Sequence, residues 1–131
     1  MRRRVTSCFV ALDKTNRVAG FYTLASSSVV LSDLPASVVK KLPRYPSVPV
    51  VRMGRLAVDK DFKGKGLGGA LLADALSRSI SSEIAAFALV VDAKDEAALH
   101  FYQHHGFIAF ASLPMTLFLP LAVSIRYSTN L

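Results

Sequence analysis

The 131-residue chain is short of cysteine, of acidic residues and of long uninterrupted apolar runs. Its single cysteine, Cys8, excludes an internal disulfide, agrees with a reducing, cytoplasmic setting, and leaves no paired-cysteine spacing for zinc. Cys8 falls inside an apolar alternation and reads as a small core residue rather than a nucleophile. The apolar segment after Arg2, Arg3 and Arg4 is short, interrupted by polar residues and followed by no small-residue cleavage site before Asp13, so it is not read as a signal peptide. Phe107 to Ile125 carries no charge, yet Pro114 and Pro120 break it. Ser112 with Pro114 reads as a turn between two last core strands, Ile108–Ala111 and Met115–Leu119, and no membrane association is expected. The apolar tail beyond Pro120 is expected to pack on a second subunit. His100, His104 and His105 share one short segment, but the sequence places no fourth ligand or acidic partner. Solvated or structural roles are therefore expected and no metal site is assigned.

What the chain does have is apolar content and positive charge. Apolar residues make up 52% of it, enough for one domain, residues 1–131, to bury a core without staples. Net charge is +7, distributed unevenly: residues 1–65 hold thirteen of the sixteen Lys/Arg and four of the nine acids. A basic half of this kind is the footprint of a polyanionic partner, either nucleic acid or a cluster of phosphates.

The stretch Val50 to Leu72 organises the rest. A β-type run (Val48, Val50, Val51, Met53, then Leu56, Ala57, Val58) stops at Asp59, crosses a charged glycine-rich loop, and restarts at Leu67 with helical spacing. Glycines at 64, 66, 68 and 69 let the loop backbone approach a ligand closely. The loop also opens a helix, whose first turn has unpaired amides and the positive end of the dipole. Its natural guest is a phosphate or pyrophosphate, with Lys63 and Lys65 adding charge. The nucleotide-triphosphatase pattern GxxxxGK[ST] is excluded, because Gly69 is followed by Ala70 and Leu71. A dinucleotide fingerprint on Gly64, Gly66 and Gly69, with Asp92 as the acidic residue at a second strand end, stays open.

The remaining elements follow in order. VTSCFVALD reads as a strand, Lys14 to Arg17 as a hairpin loop, and Val18 to about Val30 as a second strand with a bend or bulge at Ser26–Ser28. Ser32 to Pro49, with four prolines and Lys40, Lys41 and Arg44, reads as a charged surface excursion and excludes a central strand there. Leu67, Leu71, Leu72, Ala75 and Leu76 form one stripe of a helix ending near Ser79 or Ser82. Phe87 to Val91 is a strand, expected to lie parallel to the Val51 strand after a right-handed crossover, with a ligand where the two splay apart. Asp95 reads as the N-cap of a helix from Ala97 to His104, stopped by Gly106.

Two segments carry a resemblance. LAVDKDFKGKGLGGALL resembles the acetyl-CoA-binding segment of the GNAT superfamily of N-acetyltransferases; its signature Q/R-x-x-G-x-G/A stands here as Lys63 to Gly68, with lysine first. AALHFYQHHGF is similar to that family's AxxxYxxxGF ending, through Ala98, Tyr102, Gly106 and Phe107, although the family usually has asparagine near Asp95. VAGFYTLASSSV and LPRYPSVPVVRMGRLAVD resemble the branch that serves as toxins of bacterial toxin–antitoxin pairs. The resemblance implies an α/β (α+β) fold: a mixed, mostly antiparallel sheet with a splayed parallel strand pair and flanking helices. It also implies a strand and one or two helices before the position of Val5, so the N-terminal part here is shortened.

In function the resemblance implies acetyl-CoA as co-substrate and acetylation of the amino group of an aminoacyl-tRNA. The partner it implies is a ribbon–helix–helix antitoxin. Leu56, Ala57 and Val58 would bind the pantetheine arm and polarise the thioester, while Lys63, Gly64, Lys65, Gly66, Leu67, Gly68 and Gly69 would hold the pyrophosphate. Tyr102 would protonate the leaving thiolate, its reference pKa of about 10 suiting that task. Lys40, Lys41, Arg44 and Arg52 would meet RNA phosphates. Other readings are acetylation of a small amine or protein amine, and a non-catalytic CoA-binding module.

Overall fold

A computed structural model describes residues 6–30, 47–81 and 86–121. Six strands form one sheet: β1 (Thr6–Leu12), β2 (Val18–Val30), β3 (Ser47–Val58), β4 (Ala88–Asp92), β5 (Ile108–Ala109) and β6 (Thr116–Pro120). Helix α1 (Leu67–Ile80) joins β3 to β4, and α2 (Glu96–His104) follows β4. The order is β1-β2-β3-β4-β6-β5. All pairs are antiparallel except β3 with β4, as expected of a strand–helix–strand crossover.

The sheet is buried on both faces at its centre, where β4 reads as an unbroken apolar run. Leu89 and Val91 face a cluster with Tyr22, Met53, Leu71, Leu72, Ala75, Tyr102, Phe107 and Leu117. Ala88 and Val90 face the other way, among Val29, Val48, Val50, Phe110 and Phe118. Each such valine, leucine or methionine side chain contributes about 1.5–3 kcal/mol by leaving water.

Local chemistry explains the boundaries. Asp13 closes the β1–β2 hairpin: its Oδ1 accepts from the Thr15 and Arg17 amides at 2.8 and 2.9 Å, and these bonds hold its carboxyl below the usual range. Asn16 takes the positive φ of 63° that the turn requires. Asp95 Oδ1 accepts from the Ala98 amide at 2.8 Å and starts α2; Gly106, at φ 91°, ends it.

Four readings of the sequence are corrected. Cys8 is exposed, because β1 is the sheet's edge and turns only Phe9 and Ala11 toward the core. Pro49 lies inside β3, opposite Ser28. Its carbonyl accepts from the Phe87 amide on the β4 side, so the missing N–H also points there, before the β3–β4 ladder begins at Val51. Ser26–Ser28 pair regularly with Val51–Pro49; the bulge lies instead where Thr23 faces both Gly54 and Arg55. The β5 strand is only two residues long, and the link from Phe110 to Met115 is a turn in which the Thr116 amide donates to Leu113. No helix among the described residues is long and apolar enough to cross a membrane. Lys40, Lys41, Arg44 and the tail beyond Leu121 lie outside the described residues.

Candidate active site

The site is made by the bulge. On the β2 side, β3 stays paired through Val58, opposite Gly20. On the β4 side, pairing ends at Met53 with Val91, leaving the backbone groups of residues 54–58 on that side with no strand partner. The extra residue at Gly54–Arg55 swings β3 away, and Thr23 Oγ1 accepts from the Arg55 amide at 3.0 Å to hold the kink. An opened β-ladder is a row of free donors and acceptors, which an extended ligand arm can pair with as a strand would.

Beyond Val58 the chain turns through a short 3₁₀ segment, Lys60–Phe62, started by Asp59, whose Oδ1 accepts from the Asp61 amide at 2.9 Å. Gly64 and Gly66 follow at φ 79° and 80°, a region that side-chain-bearing residues avoid. Gly66 is the N-cap of α1 and supplies no side-chain cap, so the first helical amides are left for a ligand.

Two adjoining clefts result. The larger, about 510 Å³, is lined by Leu56, Ala57, Val58, Lys63, Gly64, Gly66, Leu67 and Gly68, all expected from the sequence. Phe62, Lys94, Asp95, Ala97, Ala98 and Phe101 complete it. The sequence signal for the α2 residues was available: Ala97, Ala98 and Phe101 share a helical face with Tyr102. Lys65 and Gly69 do not line this cleft. The Lys65 ammonium lies 5.9 Å from the Phe62 ring centre, and Gly69 faces His105.

The smaller cleft, about 350 Å³, adds Phe21, Met53, Gly54, Arg55 and Asp92 and shares Leu56, Ala57, Lys94, Ala98 and Tyr102 with the first. Tyr102 thus stands between the two. Its ring is buried among Phe101 and Phe107. Among the described residues no side-chain oxygen or nitrogen is both buried and without a hydrogen-bond partner, and none donates to or accepts from the Tyr102 hydroxyl, so that hydroxyl opens onto the clefts. Burial, with the charge of Asp92, pushes the phenol up to about 12, above the reference value of about 10 expected from sequence.

Arg52 is half-buried, and its Nη1 lies 2.6 Å from Asp92 Oδ2. As a phosphate ligand it would have to share its guanidinium with that carboxylate. Arg55 is exposed and lines the smaller cleft. His105 packs edge-on against Phe101 and His104. Among the described residues no three His, Cys, Asp or Glu side chains gather as metal ligands would.

Residues 4–109 match the family described as "Acetyltransferase (GNAT) domain". The chain belongs to the GNAT acetyltransferases. It is 40% identical over 114 residues to a tRNA-acetylating toxin of Mycobacterium tuberculosis strain H37Rv, covering 86% of this chain and 67% of that relative. Among solved structures it is similar to AtaT complexed with acetyl-methionyl-tRNAfMet, at TM-score 0.82 and 32% identity over 93% of this chain and 75% of that one. It is also similar to a tyrosine-to-phenylalanine mutant of AtaT bound to acetyl-CoA and the C-terminus of the antitoxin AtaR, at TM-score 0.68 and 29% identity over 90% of this chain and 69% of that one. As a GNAT enzyme the chain is an N-acetyltransferase with a mixed, mostly antiparallel sheet, in agreement with the fold read from sequence.

Proposed function

We propose that this chain transfers the acetyl group of acetyl-CoA to the amino group of an aminoacyl-tRNA, and so acts in the cytoplasm as a toxin that blocks translation. The observation that carries the proposal is the position of Tyr102 between a glycine-loop cleft and a second chamber, in a chain 40% identical to a tRNA-acetylating toxin. The relative holding acetyl-methionyl-tRNAfMet supports the acceptor, and the one holding acetyl-CoA and an antitoxin segment supports the co-substrate and an antitoxin partner; the ribbon–helix–helix class of that partner rests on the sequence resemblance.

The larger cleft takes the donor. The amides opening α1 and those of the Lys63–Gly68 loop hold the pyrophosphate, with Lys63 adding charge. Free backbone groups of Leu56 and Val58 pair with the pantetheine arm and point a donor at the thioester oxygen, where negative charge develops, while the N–H and C=O of Ala57 are turned to β2. The acceptor amine enters through the smaller cleft and attacks the thioester carbonyl; the C–N bond forms and the C–S bond breaks. The amine's proton leaves to water, and Tyr102 gives its own to the departing thiolate. Held near 12, the phenol keeps its proton at any physiological pH and is always available as the acid.

The test is incubation with labelled acetyl-CoA and a panel of charged tRNAs, free amines and lysine peptides. Label on the amino acid of charged tRNA is expected; label confined to free amines or lysines would move the assignment to those acceptors. In the same preparation, tRNA binding should weaken steeply with salt, and a Lys40/Lys41/Arg44 triple alanine variant should flatten that slope while leaving acetyl-CoA affinity unchanged. A slope identical to wild type would remove these three residues from the RNA contact.

A further inference from the structure

The smaller cleft has one acidic lining residue among those described, Asp92, and its carboxylate is fixed from both sides. Arg52 Nη1 on β3 donates to Oδ2 at 2.6 Å, and Thr116 Oγ1 on β6 donates to Oδ1 at 2.7 Å. Asp92 sits at the C-terminal end of β4, one residue beyond the last β3–β4 pair, where the strands part. Its side chain is 61% exposed, although two neighbouring strands hold it in place. A surface carboxylate ordinarily gains little from being pinned. Here the two donors leave each oxygen a lone pair free, and the residue lines the same chamber as Tyr102, from the neighbouring face of β4.

We infer that Asp92 is the group that receives the acceptor's amino nitrogen, accepting a hydrogen bond from it and setting its distance to the thioester. The inference rests on the acetyl-transfer reading of the site. The other charged and titratable groups around the carboxylate are Arg52 on β3, Tyr102 on α2, and Arg55 and Lys94 on the cleft lining. Of these Tyr102 is the phenol already assigned to the leaving group and the rest are cations, which repel an ammonium. Asp92 is therefore the one anionic side chain in the lining, among the described residues, that can receive an amine nitrogen, beside the neutral carbonyls of the opened strand. The cations serve a different end: they favour the neutral amine needed for attack, and they face the polyanionic remainder of the acceptor.

The experiment compares wild type with Asp92→Asn, which keeps size and an oxygen for one donor, and Thr116→Val, which keeps the charge and loosens its hold. Acetyl-CoA affinity by calorimetry and melting temperature are measured beside the steady-state kinetics on the panel of charged tRNAs. For Asp92→Asn the KM for charged tRNA should rise roughly 10- to 100-fold, the worth of one charge-assisted hydrogen bond, with acetyl-CoA affinity unchanged. Thr116→Val should show the same change at smaller size. A carboxylate beside the bound amine raises that amine's pKa, so the acid limb of the kcat profile should move to lower pH in Asp92→Asn. A purely structural ion pair would move the melting temperature but neither the KM ratio nor that limb. Unchanged KM and unchanged acid limb in both variants would overturn the assignment while leaving the acetyltransferase reading in place. A wild-type enzyme inactive on every charged tRNA would remove the aminoacyl-tRNA reading, and with it the inference in this form.

Discussion

Along the first part of their shared length, Val51–Met53 of β3 and Leu89–Val91 of β4 form a regular parallel ladder, apolar on both faces but for Arg52. Past the bulge at Gly54–Arg55 the same two strands separate, and the space between them is lined by apolar side chains together with open backbone, a phenol and a few charged groups. The closed half is built for stability, whereas the open half has given up strand hydrogen bonds and has them available for a ligand. The difference teaches that the site needs no dedicated domain: one extra residue in a strand, placed opposite Thr23, converts core into cleft. It also means that substitutions in the two halves should separate cleanly into those that lower activity and those that lower stability.

The largest expected effect is in the open half. Tyr102→Phe keeps the ring's packing and removes the acid, so kcat should fall roughly 10²- to 10⁴-fold with acetyl-CoA affinity and melting temperature near wild type. Wild-type turnover would assign Tyr102 to packing alone. Leu89→Ala, at a fully buried position of the closed half, should do the reverse. It should cost about 2–5 kcal/mol of stability by chemical denaturation, while kcat per folded molecule holds.

A smaller loss is expected at the far end of the open half, where Gly20 pairs with Val58. A Cβ on Gly20 would stand 2.8 Å from the Ala57 carbonyl oxygen and 2.9 Å from Leu71 Cδ1. Gly20→Ala should therefore cost roughly 1–3 kcal/mol and push α1 and the end of β3 apart, lowering acetyl-CoA affinity as well. An unchanged melting curve would show that α1 can yield there. The smallest effect is a predicted absence. Because Tyr102 acts in its protonated form and loses its proton only near 12, kcat should show no alkaline loss attributable to it through about pH 10. An alkaline limb below pH 10 in wild type that disappears in Tyr102→Phe would contradict the value assigned to the phenol.

Elements whose signal is local were legible in the sequence. The glycine loop, the α1 stripe, the Asp95 cap and the apolar run of β4 each announce themselves within a few residues, and the observed bounds differ by one or two positions. What escaped depends on pairing. The bulge was sought at Ser26–Ser28 because serines interrupt an apolar run, yet it is fixed by Thr23 bonding across the sheet to Arg55, a contact with no local trace. The Arg52–Asp92–Thr116 bridge joins three strands distant in sequence, so Arg52 could only be read as a free cation. The shift of the Tyr102 phenol likewise comes from burial and from a carboxylate ten positions earlier, neither visible in AALHFYQHHGF. Alternation makes Cys8 look like a core residue, because it shows that a strand has two faces without showing that one of them is left uncovered.

The central claim is that the opened strand and the glycine loop together hold acetyl-CoA, and calorimetric titration of acetyl-CoA into wild type, Gly66→Val and Gly68→Val tests it most directly. Gly66 stands at φ 80°, and a side chain on Gly68 would project between Val58 and Phe101 into the larger cleft. Wild type should bind one equivalent, and both variants should lose at least about tenfold in affinity while their far-ultraviolet circular dichroism stays native, since neither position is in the core. Wild-type affinity in both variants would contradict the account.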